Sequence, residues 1–142
     1  YSYEQLMMAT KNLGIKKEFL EEQLRRIVFN LVGCNQDDHV KNFAFLMDRD
    51  GKWTLSPAYD LCHAEGSDFT RNHQLSINGK TNGFTRDDIK HLTEYAGLPQ
   101  GAGNRILART IEAFSKWKDL AAELAIPQEI QNHVTKTLRL KW

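Results

Sequence analysis

The sequence has little of several features that mark particular classes of protein. Its two cysteines, Cys34 and Cys62, are too few for a disulfide framework or a zinc-binding set, and we expect free thiols in a reducing cytoplasm. The formal net charge is +1, without the basic excess that nucleic-acid-binding domains carry. No apolar run approaches the ~20 residues of a membrane-spanning helix. The 142 residues are therefore expected to form a globular domain that contacts no membrane. Any contact with DNA is expected to occur through a partner protein.

The glycines are scattered and form no loop that could cover a phosphate group. Neither G-x-G-x-x-G nor G-x-x-x-x-G-K-[ST] occurs, and the close pair Gly101 and Gly103 follows a helical segment instead of a strand. The sequence also begins with Tyr1 in place of a methionine. We therefore expect a fragment of a longer protein, with any phosphate-covering loop supplied from outside it.

Hydrophobic spacing predicts a mainly α-helical fold of about five helices with one small β-hairpin, in a single domain over residues 1–142. The apolar residues of the second helix recur every three or four positions, while those from Phe43 to Leu55 alternate on either side of a D-R-D-G turn. Residues 63–83 are polar and without a clear period, which predicts a long ordered loop over the site. The helices are expected at about 3–13, 17–33, 85–96, 103–124 and 127–138.

Three side chains carry oxygen atoms at a spacing that suits phosphoryl transfer. Asp37 and Asn42 reproduce the D-x-x-x-x-N interval of the protein-kinase catalytic loop, and Asp60 follows beyond the predicted hairpin. Mg²⁺ prefers oxygen ligands and takes one or two from the protein, the others coming from phosphate and water. The hairpin would return the chain so that Asp60 faces Asn42, which leaves Asp37 to accept or orient the proton of the attacking hydroxyl.

Four longer motifs surround these residues: LRRIVFN at 24–30, KNFAFL at 41–46, LSPAYDL at 55–61 and SINGK at 76–80. Their content and order resemble the C-terminal part of the HipA family of serine/threonine protein kinase toxins. The similarity runs from about Leu6 to about Trp117. The D-x-H-x-x-N loop within it also resembles that of phosphoinositide kinases and aminoglycoside phosphotransferases.

The resemblance assigns roles to individual residues. It makes Asp37 the catalytic aspartate and Asn42 and Asp60 the Mg²⁺ ligands, with ATP as the co-substrate. His39 and Lys41 belong to the same loop and are assigned to cofactor binding. Asp38 receives no role, because residues at its position differ between family members.

The resemblance also implies partners and a setting. It implies the toxin of a type II toxin–antitoxin pair, bound by a HipB-like helix-turn-helix antitoxin that contacts operator DNA. The substrate would be a cytoplasmic protein such as an aminoacyl-tRNA synthetase. Because family members carry an N-terminal lobe that covers ATP, and this sequence holds none, we expect the fragment alone to be inactive.

Other interpretations of the same residues stay open. The lobe could belong to a small-molecule phosphotransferase, or it could be a non-catalytic module that binds an antitoxin or DNA. A hydrolase metal centre of Asp37, Asp38, His39 and Asp60 is disfavoured because no second histidine stands at ligand spacing. His73 is expected either to contact phosphate or substrate, or to be exposed to solvent or cap a turn.

Overall fold

The fold is mainly α-helical with one antiparallel hairpin, as predicted. The computed structural model describes residues 1–66 and 68–142. Short 3₁₀ helices occupy Val40–Asn42 and Asp68–Thr70, and the hairpin strands are β1 (Phe45–Met47) and β2 (Trp53–Leu55). The α-helices of the described residues are α1 (Tyr3–Asn12), α2 (Lys17–Gly33), α3 (Arg86–Tyr95), α4 (Ala102–Ser115), α5 (Trp117–Glu123) and α6 (Gln128–Thr137).

The first helix begins and ends at the signals that the sequence predicts. The Ser2 hydroxyl accepts a hydrogen bond from the Gln5 amide while the Gln5 side chain accepts one from the Ser2 amide, a reciprocal capping box. Gly14 adopts a φ of 67°, in the left-handed region that glycine reaches without steric cost. These signals leave a short connection to α2, whose predicted start at Lys17 is also confirmed.

One predicted helix is divided in two. The segment expected as a single helix over 103–124 is α4 followed by α5, with Lys116 between them at φ −82° and ψ 0°. On one side of the break the Phe114 ring lies against the Phe29 ring of α2, and on the other the Trp117 indole N–H donates to the Gln131 carbonyl of α6. The Phe114 and Trp117 rings both line one cavity between α2 and α6.

Helix α2 lies at the centre of the hydrophobic core and packs most extensively against α4. Helices α1 and α3 contribute Tyr3, Met7, Ile89 and Leu92, which are all fully buried. Residues 63–83 were expected to form a polar loop, yet Leu75 and Ile77 are buried in this core and the Ser76 backbone bonds to Tyr1 and Tyr3. Among the described residues, no helix has both the length and the apolar character needed to cross a membrane.

A close approach of α3 and α4 makes Gly103 sensitive to substitution. A Cβ at this position would lie 2.2 Å from the Thr93 hydroxyl oxygen and 2.8 Å from the Ile89 Cγ2 atom. We expect Gly103→Ala to lower the free energy of unfolding by about 1–3 kcal/mol, because the helices must separate to admit a methyl group. Chemical denaturation measures the loss. Asn104→Ala, at the next and exposed position of α4, is the matched control; an equal loss there would contradict the packing explanation.

Candidate functional site

The loop that carries the predicted catalytic residues begins at the C-terminal end of α2. Cys34 adopts a left-handed conformation with φ 52° and ψ 44°, and both its amide and that of Asn35 donate to the Asn30 carbonyl. Because Leu24, Ile27 and Leu31 anchor α2 in the core, the start of the loop is fixed relative to the rest of the fold. The loop therefore leaves a rigid element, which favours a precise site.

Backbone pairing joins this loop to the segment that follows Asp60. The Gln36 amide donates to the Ala64 carbonyl at 2.8 Å, and the Ala64 amide donates to the Cys34 carbonyl at 3.1 Å. The buried Asn35 amide group adds a third link, since its Nδ2 donates to the Asp60 carbonyl at 3.0 Å. The hairpin thus returns the chain to the loop from which it departed.

Asn42 and Asp60 line the same pocket. Its walls come from the end of α2, the loop and the residues after β2: Arg26, Asn30, Asn35, Asn42, Phe43, Ala58, Tyr59, Asp60 and Leu61. The Asn42 Nδ2 donates to the Asp37 carbonyl at 3.0 Å, which leaves Oδ1 as the atom of that amide available to a ligand. Asp60 is exposed, and within residues 1–66 and 68–142 its carboxylate forms no ion pair.

Asp37 is joined to Asn42 through its carbonyl, and its side chain is 45% exposed. The Cys62 sulfur lies 3.9 Å from the Asp60 Oδ1. Burial raises the pKa of the Cys62 thiol, and the negative charges of Asp60 and Asp37 raise it further. Asn42 therefore connects the predicted residues, since it bonds to the Asp37 backbone and shares a pocket with Asp60.

His39 is half-buried and Lys41 is exposed. The His39 Nε2 is 4.0 Å from the Asp37 carboxylate, and its Nδ1 is buried without a hydrogen-bond partner among the described residues. The Lys41 carbonyl accepts a 2.6 Å hydrogen bond from the Tyr59 hydroxyl, a further link between the loop and the segment before Asp60.

A family model supplies the decisive comparison. The model of the HipA-like C-terminal domain matches residues 1–137. The chain belongs to the HipA-like C-terminal domain family. The match covers nearly the whole chain, so the resemblance inferred from the motifs at 24–30, 41–46, 55–61 and 76–80 is confirmed.

A curated relative connects this HipA-like chain with kinases. The protein "Putative kinase Y4dM" of Sinorhizobium fredii is 29% identical over 137 residues, an alignment that covers 89% of this chain. The same alignment covers 33% of the relative, so the chain spans about a third of that protein's length. Family and relative together show that this HipA-like domain is kinase-related.

The structure gives Asp38 a position that sequence reasoning missed. Its carboxylate is fully buried and accepts hydrogen bonds from the Tyr3 hydroxyl, from the His73 Nδ1 at 2.7 Å and from the Gln74 amide at 2.7 Å. Burial, reinforced by the Asp38 charge, raises the pKa of Tyr3 well above its ordinary value, so this phenol remains a donor. Asp37 and Asp38 are adjacent in sequence, yet one carboxylate is half-exposed and the other faces the interior.

The structure places His73 inside the fold. Its side chain is 0% exposed, so the expectation of exposure to solvent is wrong. It does not reach the pocket that Asn42 and Asp60 line, because its ring lies between Asp38 and Phe84, with the two ring centroids of His73 and Phe84 5.3 Å apart. His73 is therefore a buried residue that bonds to Asp38 of the loop after α2.

The burial of Asp38 also bears on the hydrolase alternative. That alternative requires the Asp38 carboxylate to share a metal ion with Asp37, His39 and Asp60. The Asp38 carboxylate is instead buried, away from the surface that Asp37 and Asp60 reach. In the ranges 1–66 and 68–142, no three His, Cys, Asp or Glu side chains are grouped so as to hold a metal ion. Asp48 is a turn residue as expected, since its Oδ1 accepts from the Asp50 and Lys52 amides.

Proposed function

We propose that this HipA-like chain is the catalytic lobe of a serine/threonine protein kinase, which transfers the γ-phosphoryl group of ATP to a protein hydroxyl. One observation carries the proposal: Asn42 and Asp60 line one pocket, and the Asn42 amide also holds the backbone of Asp37. The name of the Sinorhizobium fredii relative supports the reaction class.

In this proposal Asp37 accepts the proton of the attacking hydroxyl. Its carboxylate is accessible, and its backbone is fixed from both sides by Asn42 and by the pairing of Gln36 with Ala64. A base held in this way is oriented before the substrate arrives, and its orientation lowers the entropic cost of the reaction. His39, whose Nε2 is 4.0 Å from that carboxylate, is placed to limit its rotation.

The oxygen atoms of Asn42 and Asp60 fit a magnesium site. Asn42 and Asp60 line one pocket, and among residues 1–66 and 68–142 the Asn42 Oδ1 has no donor and the Asp60 carboxylate has no ion pair. Amide and carboxylate oxygens of this kind are ligands that Mg²⁺ accepts. When bound, Mg²⁺ would neutralise developing charge on the ATP phosphates. Asn42 and Asp60 would hold it, while Arg26 contributes positive charge at the pocket wall and is itself restrained by a 3.0 Å bond to Glu22.

The remaining family assignments join the proposal. His39 and Lys41 would contact the co-substrate ATP, and an N-terminal lobe of the whole protein would cover it. Because the chain spans only about a third of its relative, we propose that it is inactive alone. The whole protein would be a cytoplasmic type II toxin, bound by a HipB-like helix-turn-helix antitoxin and through it to operator DNA, with a target such as an aminoacyl-tRNA synthetase.

Transfer of labelled phosphate tests the reaction class. We expect the full-length protein, given Mg²⁺ and γ-labelled ATP, to place the label on serine or threonine of a protein from a cell extract. The isolated 142-residue chain, as the matched sample, should incorporate none. Label found only on small molecules such as aminoglycosides would favour a small-molecule phosphotransferase, and absence of any transfer would favour a non-catalytic interaction module.

A further inference from the structure

The buried Asp38 carboxylate connects three parts of the chain that are distant in sequence. Its partners are Tyr3 of α1 and the consecutive residues His73 and Gln74, all 35 or 36 positions away. Two of these bonds come from side-chain donors and one from a backbone amide, so both oxygen atoms of the carboxylate are satisfied. Hydrogen bonds from these donors offset the free-energy cost of burying the carboxylate. Removing one donor would leave part of that cost uncompensated.

The position of Asp38 in the loop gives those bonds a second effect. Asp38 directly follows Asp37, and the preceding residue, Gln36, is already held by Ala64. The peptide of Asp37 is thus restrained by Gln36 on one side and by Asp38 on the other. A backbone movement that carried the Asp37 carbonyl away from Asn42 would strain the bonds that hold the adjacent Asp38 carboxylate.

We propose that Asp38, with its donors Tyr3 and His73, is the positioning group for Asp37, an inference that rests on the proposed kinase function. In this proposal the exposed Asp37 carboxylate contacts the substrate hydroxyl, and the buried Asp38 carboxylate sets the orientation of Asp37. The same contact ties the loop to the segment after Asp60, through His73 and Gln74. A change at His73 or Gln74 would therefore reach Asp37 through the buried Asp38 carboxylate, in addition to the backbone pairing of Gln36 with Ala64.

Two substitutions at His73 separate positioning from packing. His73→Phe keeps an aromatic ring against Phe84 but removes the donor to Asp38, whereas His73→Asn keeps a short N–H donor and removes the ring. Tyr3→Phe is a gentler third variant, since it removes one hydroxyl and keeps the ring that lies edge-on to Phe43. It carries the test if His73→Phe does not fold.

The measurement is phosphoryl transfer by the full-length protein, with kcat and the KM for ATP determined separately below the unfolding temperature of every variant. We expect His73→Phe and Tyr3→Phe to lower kcat by ~10- to 100-fold with the KM for ATP within about twofold of the wild-type value. His73→Asn should retain a kcat close to that of the wild type. Full activity of both donor-deletion variants, or an equal loss in His73→Asn and His73→Phe, would overturn the proposal.

Amide hydrogen exchange gives a readout that does not depend on activity. We expect faster exchange over residues 35–42 in His73→Phe and Tyr3→Phe, no change in His73→Asn, and unchanged protection in α4 of all three. Uniformly faster exchange throughout the chain would indicate general destabilisation and would also overturn the proposal. If the wild-type protein transfers no phosphate, the proposed function fails, and exchange in the loop alone decides whether Asp38 positions Asp37.

Discussion

Asp37→Asn in the full-length protein is expected to lower the rate of phosphoryl transfer by ~10²–10⁴-fold, which is the range for removing a positioned general base. The substitution keeps the size of the side chain and removes its ability to accept a proton at neutral pH. Because the wild-type side chain is 45% exposed and its ion-pair contact among the described residues is the His39 imidazole at 4.0 Å, stability should change little. Transfer of labelled phosphate and thermal unfolding measure the two effects.

The control for this prediction is another exposed aspartate of the same chain. Asp50→Asn makes the same chemical change in the hairpin turn, where the Asp50 backbone amide, and not its carboxylate, makes the recorded contact. We expect it to leave the rate unchanged. An Asp37→Asn protein that phosphorylates its substrate at the wild-type rate would remove Asp37 from the proposed mechanism.

The helices and the hairpin could be predicted because their signals are local. The stripe of Leu20, Leu24, Ile27 and Leu31 fixes which face of α2 is buried, and every spacing in it lies within two turns. The alternation across the D-R-D-G turn likewise specifies the pairing of Phe45 with Leu55. No local signal of this kind marks the break at Lys116 between α4 and α5.

The candidate site likewise contains residues that local sequence signals predict and residues that they do not. Asp37, Asn42 and Asp60 could be proposed from sequence because phosphoryl transfer restricts both residue type and interval, and those restrictions are visible without a fold. Their roles stay a prediction. Asp38 could not be proposed from sequence, since its three partners lie 35 or 36 positions away and none has a fixed spacing to it. The burial of Leu75 and Ile77 was hidden for the same reason: the surrounding residues are polar, and the apolar side chains are buried by α1 and α3.

Asp60→Asn is expected to cause the second large loss in the rate of phosphoryl transfer. This loss would come from weaker magnesium binding, whereas the loss in Asp37→Asn comes from impaired proton transfer. Asp60 has a φ of 53°, a left-handed conformation that asparagine tolerates nearly as well as aspartate, whereas alanine would add backbone strain. Asn is therefore the variant that changes the ligand charge and keeps the backbone. The carbonyl of residue 60 would still accept the hydrogen bond from Asn35, so the loop should stay in place.

The size of the loss follows from the charge that the metal neutralises. A bound cation contributes several kcal/mol to the stabilisation of phosphoryl-transfer charge, so weakening it should lower kcat by at least ~10²-fold. We also expect the Mg²⁺ concentration needed for half-maximal rate to rise, because a neutral amide replaces a carboxylate ligand. A titration of rate against Mg²⁺ measures both quantities, with Asp50→Asn again as the variant that should match the wild type. If the Asp60→Asn protein kept the wild-type Mg²⁺ dependence, the divalent cation would have to be held elsewhere, and the pocket that Asn42 and Asp60 share would need another occupant.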